Sequence, residues 1–167
     1  MTLRRLTSSC LVVLAMIATT LVAFGGTSSA AGAKPAGLIG FISNMGSLNG
    51  CLDLRSYTNG TPVTLALCAS GVSSQQWDYE DAATLRNVGS GDGCLDLRSY
   101  TNGSPAVLAP CDQHSQSQKW VYIRTGGTIR NVGSVDGCLD LRSYLNGTPA
   151  TLEHCSSTYS RSQNWEG

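Results

Sequence analysis

Histidine and phenylalanine are scarce in this 167-residue chain, two of each, and no long apolar run occurs after Phe24. His114 and His154 sit in no His-Glu-x-x-His pattern, and Gly-x-Ser-x-Gly is missing too, so no hydrolase centre or cofactor motif is recognisable. Charged residues are only 13% and the formal net charge is zero, which removes the basic face a nucleic-acid partner needs. No close Cys-x-x-Cys ligand pair exists, so no zinc or other metal site is expected. Beyond the N-terminus there is also no capped 3.6-residue apolar stripe, and helical repeats are thereby excluded.

What is present begins with an export signal. Arg4 and Arg5 precede an apolar stretch from Leu11 to Phe24, and small residues follow up to Ala30 and Ala33. Residues 1–33 therefore read as a secretory signal peptide, cleaved after Ala30 or Ala33. The run is too short to span a bilayer, and Leu6, Thr7 and Ser8 continue a twin-arginine motif poorly. Cys10 lies ahead of the run and leaves with it. The mature chain, 34–167, keeps nine basic against eleven acidic residues. It is expected to be extracellular and not inserted in membrane.

Six cysteines then remain, an even number in an oxidising compartment. Cys51 and Cys68, Cys94 and Cys111, and Cys138 and Cys155 share one spacing. Six cysteines allow about fifteen connectivities, but three equal spacings favour one bridge per repeated unit. The repeat itself is plain. Cys51 to Gly60 recurs letter for letter from Cys94 to Gly103, and again from Cys138 to Gly147 with one change, Leu145. Arg86 to Ser90 matches Arg130 to Ser134, and Gln-x-Trp ends each unit at Trp77, Trp120 and Trp165. The units cover roughly 38–81, 82–125 and 126–167.

Local patterns decide the architecture. Leu52 and Leu54 alternate with Asp53 and Arg55, the period-2 signature of a half-buried strand. Asn59-Gly60 marks a turn, and Pro62 opens the next strand, where Val63 and Leu65 alternate again. Trp77 and Tyr79 mark a further strand, and the apolar positions at Ile42, Leu85 and Ile129 mark the first strand of each unit. Four short strands per unit, three times, predict an all-β chain: a β-trefoil with pseudo-threefold symmetry, a closed barrel with a hairpin cap.

Cys-Leu-Asp, a second cysteine in fixed register and Gln-x-Trp, three times over, resemble the ricin B-type lectins. Among these the chain stands near the actinomycete carbohydrate-binding modules and the actinohivin-like lectins. The resemblance covers about residues 38–167. It implies that Trp77, Trp120 and Trp165 are core residues. It also implies a shallow sugar site per unit, in which Asp53, Asp96 and Asp140 accept hydroxyl hydrogen bonds and Gln75, Gln118 and Gln163 brace those aspartates. An ionised carboxylate, acceptor-only and charge-assisted, suits vicinal hydroxyls; each aspartate tying down its own hairpin is the alternative role. The expected partner is a glycan or polysaccharide, held with no cofactor.

The chain departs from the family where specificity is set. Ala66, Ala109 and Glu153 replace the stacking aromatic ring, and Ser74, Ser117 and Ser162 replace the asparagine that usually precedes the glutamine. Thr64, Val107 and Thr151 stand where the mannose-binding branch has one of its tyrosines. Tyr57, Tyr100 and Tyr144 offer a substitute ring beside the turn, with packing over their own hairpins as the alternative. Asn59, Asn102 and Asn146 offer an amide at the rim, or serve the turn alone. Asp112 with His114, and Glu153 with His154, are expected to enrich the second and third sites over the first.

Catalysis is not expected. Pseudo-threefold symmetry spreads the three aspartates too far apart for a glycosidase pair, which needs about 5–10 Å. Arg55, Arg98 and Arg142 beside them read as surface ion-pair partners. The competing function is protein binding, for example protease inhibition, through loops where the units diverge: 69–74, 112–117 and 156–162.

Overall fold

The structure, a computed structural model, describes residues 39–167; the expected signal peptide and Cys10 lie outside the described residues. Alternation along the repeat produces thirteen short strands. The first unit holds β1 (Ile39–Phe41), β2 (Ser43–Asn44), β3 (Gly50–Leu54), β4 (Val63–Leu67) and β5 (Gln76–Tyr79). The second holds β6 (Leu85–Asn87), β7 (Gly93–Leu97), β8 (Ala106–Pro110) and β9 (Trp120–Ile123). The third holds β10 (Thr128–Asn131), β11 (Gly137–Leu141), β12 (Ala150–His154) and β13 (Trp165–Glu166). The expected four strands per unit are present, with the first strand of the first unit interrupted at Ile42.

Each unit's last strand pairs antiparallel with the first strand of the next: β5 with β6, β9 with β10, and β13 with β2. That third pairing joins the third unit back to the first and closes the barrel. The middle strands of each unit form hairpins, β3–β4, β7–β8 and β11–β12, in full five-residue register. The three hairpins are tied into a triangular cap. Gly60 N–H donates to Leu108 O, Gly103 N–H to Leu152 O, and Gly147 N–H to Leu65 O, at 2.7, 2.8 and 2.7 Å. Each glycine has positive φ (88°, 84° and 86°), which explains Asn-Gly at these turns.

The core is one cluster built from the strands' inward residues, among them Leu52, Leu65, Leu95, Leu108, Leu139 and Leu152. Trp77, Trp120 and Trp165 are fully buried, as the family resemblance implies. Each indole N–H donates to a strand carbonyl, Leu52 O, Leu95 O or Leu139 O, so burial leaves no orphan donor. Disulfides Cys51–Cys68, Cys94–Cys111 and Cys138–Cys155 give one bridge per unit. Each closes a loop worth about 3 kcal/mol in the chain-entropy account.

Candidate functional site

The repeated aspartates lie on the hairpin face opposite the core leucines. Asp53 pairs across the ladder with Thr64, Asp96 with Val107, and Asp140 with Thr151. Asp96 and Asp140 are only 7% exposed, and Asp53 is partly buried. A serine braces each carboxylate through a charge-assisted hydrogen bond: Ser74 Oγ to Asp53 (2.7 Å), Ser117 Oγ to Asp96 (2.5 Å) and Ser162 Oγ to Asp140 (2.8 Å). These serines come from the 3-10 turns Ser73–Gln75, Gln116–Gln118 and Arg161–Gln163, each too short to show in sequence periodicity. The hydroxyls of Thr64 and Thr151 are buried without a partner, whereas the middle unit places apolar Val107 there.

The glutamines do something other than expected. Gln75 accepts from Ala69 N–H and donates to Leu67 O; Gln118 does the same with Asp112 N–H and Pro110 O, and Gln163 with Ser156 N–H and His154 O. Both ends of each amide thus pin the backbone that flanks the second cysteine. The aspartate's brace is the serine one position earlier, where the family usually has asparagine. A hydroxyl donates readily to a carboxylate, and a backbone N–H and C=O buried in a loop demand a bidentate amide, so the two residues divide the roles.

The tyrosines also reach further than their own hairpins. The Tyr57 phenol end lies over Gly89, Tyr100 over Gly133 and Tyr144 over Gly46; a Cβ on these glycines would stand 2.2, 2.3 and 2.3 Å from the phenolic oxygen. Each ring therefore bridges to the following unit, cyclically, and is 45–48% exposed. Tyr57 Oη also lies 3.4 Å from Ser73 Oγ, next to the Asp53–Ser74 pair. Arg98 also bonds across a unit boundary, reaching Asn59 of the first unit, while Arg142 forms its hydrogen bond within its own unit. Arg98 donates to Asn59 Oδ1 (2.5 Å) and stands 4.0 Å from Asp96; Arg142 pairs with Glu153 (Nε to Oε1, 2.6 Å). The expected arginine–aspartate pairing is thus found at Asp96, while Glu153 takes Arg142. Asn102 and Asn146 stand exposed at the corresponding turns.

Several clefts surround these residues. One, about 710 Å³, lies between the β5–β6 turn and Asp112 to His114. Asp112 and His114 line this cleft together with Tyr79 and Thr84, and Asp96 is not among its lining residues. A related cleft of about 250 Å³ lies between Thr125 to Thr128 and Ser156 to Ser160, beside the exposed Tyr159. Two more open at unit boundaries, about 200 Å³ beside Tyr57 and Asn59 and about 360 Å³ beside Tyr144 and Asn146. No group of three or more metal-ligating side chains occurs among the described residues.

Comparison with known proteins agrees with this fold. Solved structures similar in fold include a mosquitocidal holotoxin (22% identity, TM-score 0.62, 76% of this chain), of which the match covers 16%. They also include the designed threefold-symmetric protein ThreeFoil (22%, 0.65, 75% of this chain and 94% of that one). The agglutinin from Abrus precatorius is a third (22%, 0.59, 77% and 46%). The chain thus spans a small part of some of these proteins and nearly all of another. No curated protein sequence matches it. Residues 39–165 match the ricin-type beta-trefoil lectin domain, and the chain belongs to that family.

Proposed function

We propose that this protein is exported and binds carbohydrate at three repeated sites built on Asp53, Asp96 and Asp140, engaging polysaccharide or cell-surface glycan multivalently. Membership in a lectin-domain family supports carbohydrate binding, and three disulfides suit an extracellular setting. The observation that carries the site assignment is the threefold recurrence of a carboxylate braced by a serine hydroxyl. The brace uses one oxygen, and the other accepts from a sugar hydroxyl, at Asp96 beside the Arg98 guanidinium 4.0 Å away. Tyr57, Tyr100 and Tyr144, half-exposed beside the sites, supply ring faces, and Asn59, Asn102 and Asn146 stand at the rims. Gln75, Gln118 and Gln163 fix the loops that carry the bracing serines.

Such a site is small. Each hydrogen bond to a solvated sugar nets about 0.5–1.5 kcal/mol, up to ~3 with a charged acceptor. Two or three of them, set against association entropy, give about 4 kcal/mol, near-millimolar affinity for one sugar. A rigid barrel carrying three sites makes the second contact intramolecular, which raises avidity by ~10² to 10⁴ when the ligand spans them. The test sets calorimetry of free monosaccharides beside surface binding to the matching polymer, for the wild type and an Asp96→Ala, Asp140→Ala double variant. Weak monosaccharide binding with strong, aspartate-dependent polymer binding is expected. Micromolar binding of a free sugar, or polymer binding indifferent to losing two aspartates, overturns the reading.

A further inference from the structure

We infer that the cleft between the third and first units is a second kind of sugar seat, which shares Tyr144 and Asn146 with the third aspartate site but does not use its carboxylate, and which takes a pyranose bearing a methyl group: an N-acetylated or 6-deoxy sugar. The inference rests on the carbohydrate-binding reading and adds to it a site and a ligand class. Its walls are fixed by backbone bonds. Gly147 N–H donates to Leu65 O (2.7 Å) and Leu65 N–H to Thr148 O (2.8 Å), which holds the turn carrying Asn146 against β4. Tyr144 is set over Gly46, where a Cβ would collide with its phenol. The loop Gly46 to Gly50 and the end of β4 close the other side.

At about 360 Å³ the cleft is inside the range of small-ligand sites, roughly 300–1,000 Å³. No charged side chain is among its lining residues, and the Arg55 guanidinium stands outside them, set against Gly147 next to Asn146. Leu48 is fully exposed and Leu67 is 62% exposed at its mouth, beside the half-exposed Tyr144 ring. Asn146 adds a neutral amide able both to donate and to accept. An apolar wall, a ring face and one amide match a small neutral molecule that has hydroxyl edges and a methyl group.

The other boundaries lack this combination. Beside Tyr57 the cleft falls to about 200 Å³, Pro110 replaces Leu67, Asp92 replaces Asn49, and Arg98 occupies the Asn59 oxygen. At the boundary carrying Tyr100, the position of Leu67 is His154, 3.9 Å from Asp136.

The probes are N-acetylglucosamine, N-acetylgalactosamine and fucose, with glucose and galactose as references, followed by saturation-transfer NMR and titration. The methyl protons should receive the strongest saturation from the wild type. A Leu48→Ser, Leu67→Ser double variant, changed only at exposed positions and with an unchanged thermal melt, should bind the methyl-bearing sugar about tenfold or more weakly, as loss of an apolar pocket contact predicts. The triple variant Asp53→Ala, Asp96→Ala, Asp140→Ala should retain that binding. No preference for methyl-bearing sugars, or unchanged affinity in the leucine variant, overturns the inference. So does loss of the methyl-sugar signal in the triple variant, since the aspartate sites then account for it. A wild-type dimer that becomes monomeric in the leucine variant also overturns it, because a second copy then covers the cleft. Retained methyl-sugar binding with polymer binding indifferent to the aspartates leaves this seat standing and removes the aspartate sites alone.

Discussion

Tyr79 and Tyr122 occupy equivalent positions two residues after their tryptophans, and each phenol donates to the backbone carbonyl of the next tryptophan: Tyr79 to Trp120 O (2.7 Å) and Tyr122 to Trp165 O (3.1 Å). Desolvation raises both phenols above the ordinary tyrosine value, and for Tyr122 the nearby Glu166 carboxylate adds to it. A folded-state pKa raised above the unfolded one means that the native state holds its proton longer. The stabilisation is fully present below about pH 10, the unfolded value, and is lost as pH climbs through the raised folded value. The wild type should therefore weaken in alkali beyond about pH 10. Tyr79→Phe should cost about 0.5–1.5 kcal/mol at neutral pH, from the lost hydrogen bond, and flatten the alkaline decline. Urea denaturation across pH 7–11 checks this; an alkaline slope identical to the wild type's would show that Tyr79 is not the titrating group.

Between elements, the informative contact is the phenol of one unit over the glycine of the next. Gly89→Ala places a methyl against the Tyr57 oxygen, and Ser73 Oγ at 2.9 Å also crowds it, so the ring must leave its seat. Overpacking of this kind costs about 1–3 kcal/mol. The loss should shrink when Tyr57→Ala is already present, with a coupling of about 0.5–3 kcal/mol in the double-mutant cycle. Additive losses would mean that the two residues do not communicate. Nothing in the sequence announces this contact. Leu52 and Leu54 declare a strand through alternation, and Asn59-Gly60 declares a turn through its tolerance of positive φ, because both signals are local. The Tyr57–Gly89 contact exists only once the units close around the threefold axis, so linear sequence holds Tyr57 and Gly89 as two unrelated conserved-looking letters of a repeat. The serine brace was hidden for a related reason. Asp53 and Ser74 are far apart in sequence, and the resemblance pointed to the neighbouring Gln75, whose amide the backbone around Cys68 claims instead.

Across the described residues, β13 pairing with β2 makes the last strand a neighbour of one of the first in the barrel, Trp165 opposite Asn44 and Glu166 opposite Ser43. Order along the chain then matters less than order around the ring. A permuted protein, with Gly167 linked by a few glycines to residue 39 and the chain reopened between the exposed Thr125 and Gly126, should fold with the same three bridges. A cooperative melt and non-reduced peptide mapping check it; scrambled bridges or a lost transition would show that folding depends on where the chain starts. The same cap that ties the units together also governs how the protein ages. Asn-Gly is the dipeptide most prone to lose ammonia, because the glycine nitrogen attacks the asparagine amide to form a succinimide. In all three turns that nitrogen's hydrogen is held by a carbonyl of a neighbouring hairpin, at Leu108, Leu152 and Leu65. Deamidation at Asn59, Asn102 or Asn146 therefore has to wait for the hairpin triangle to open. Isoaspartate accumulating there is a clock of past unfolding.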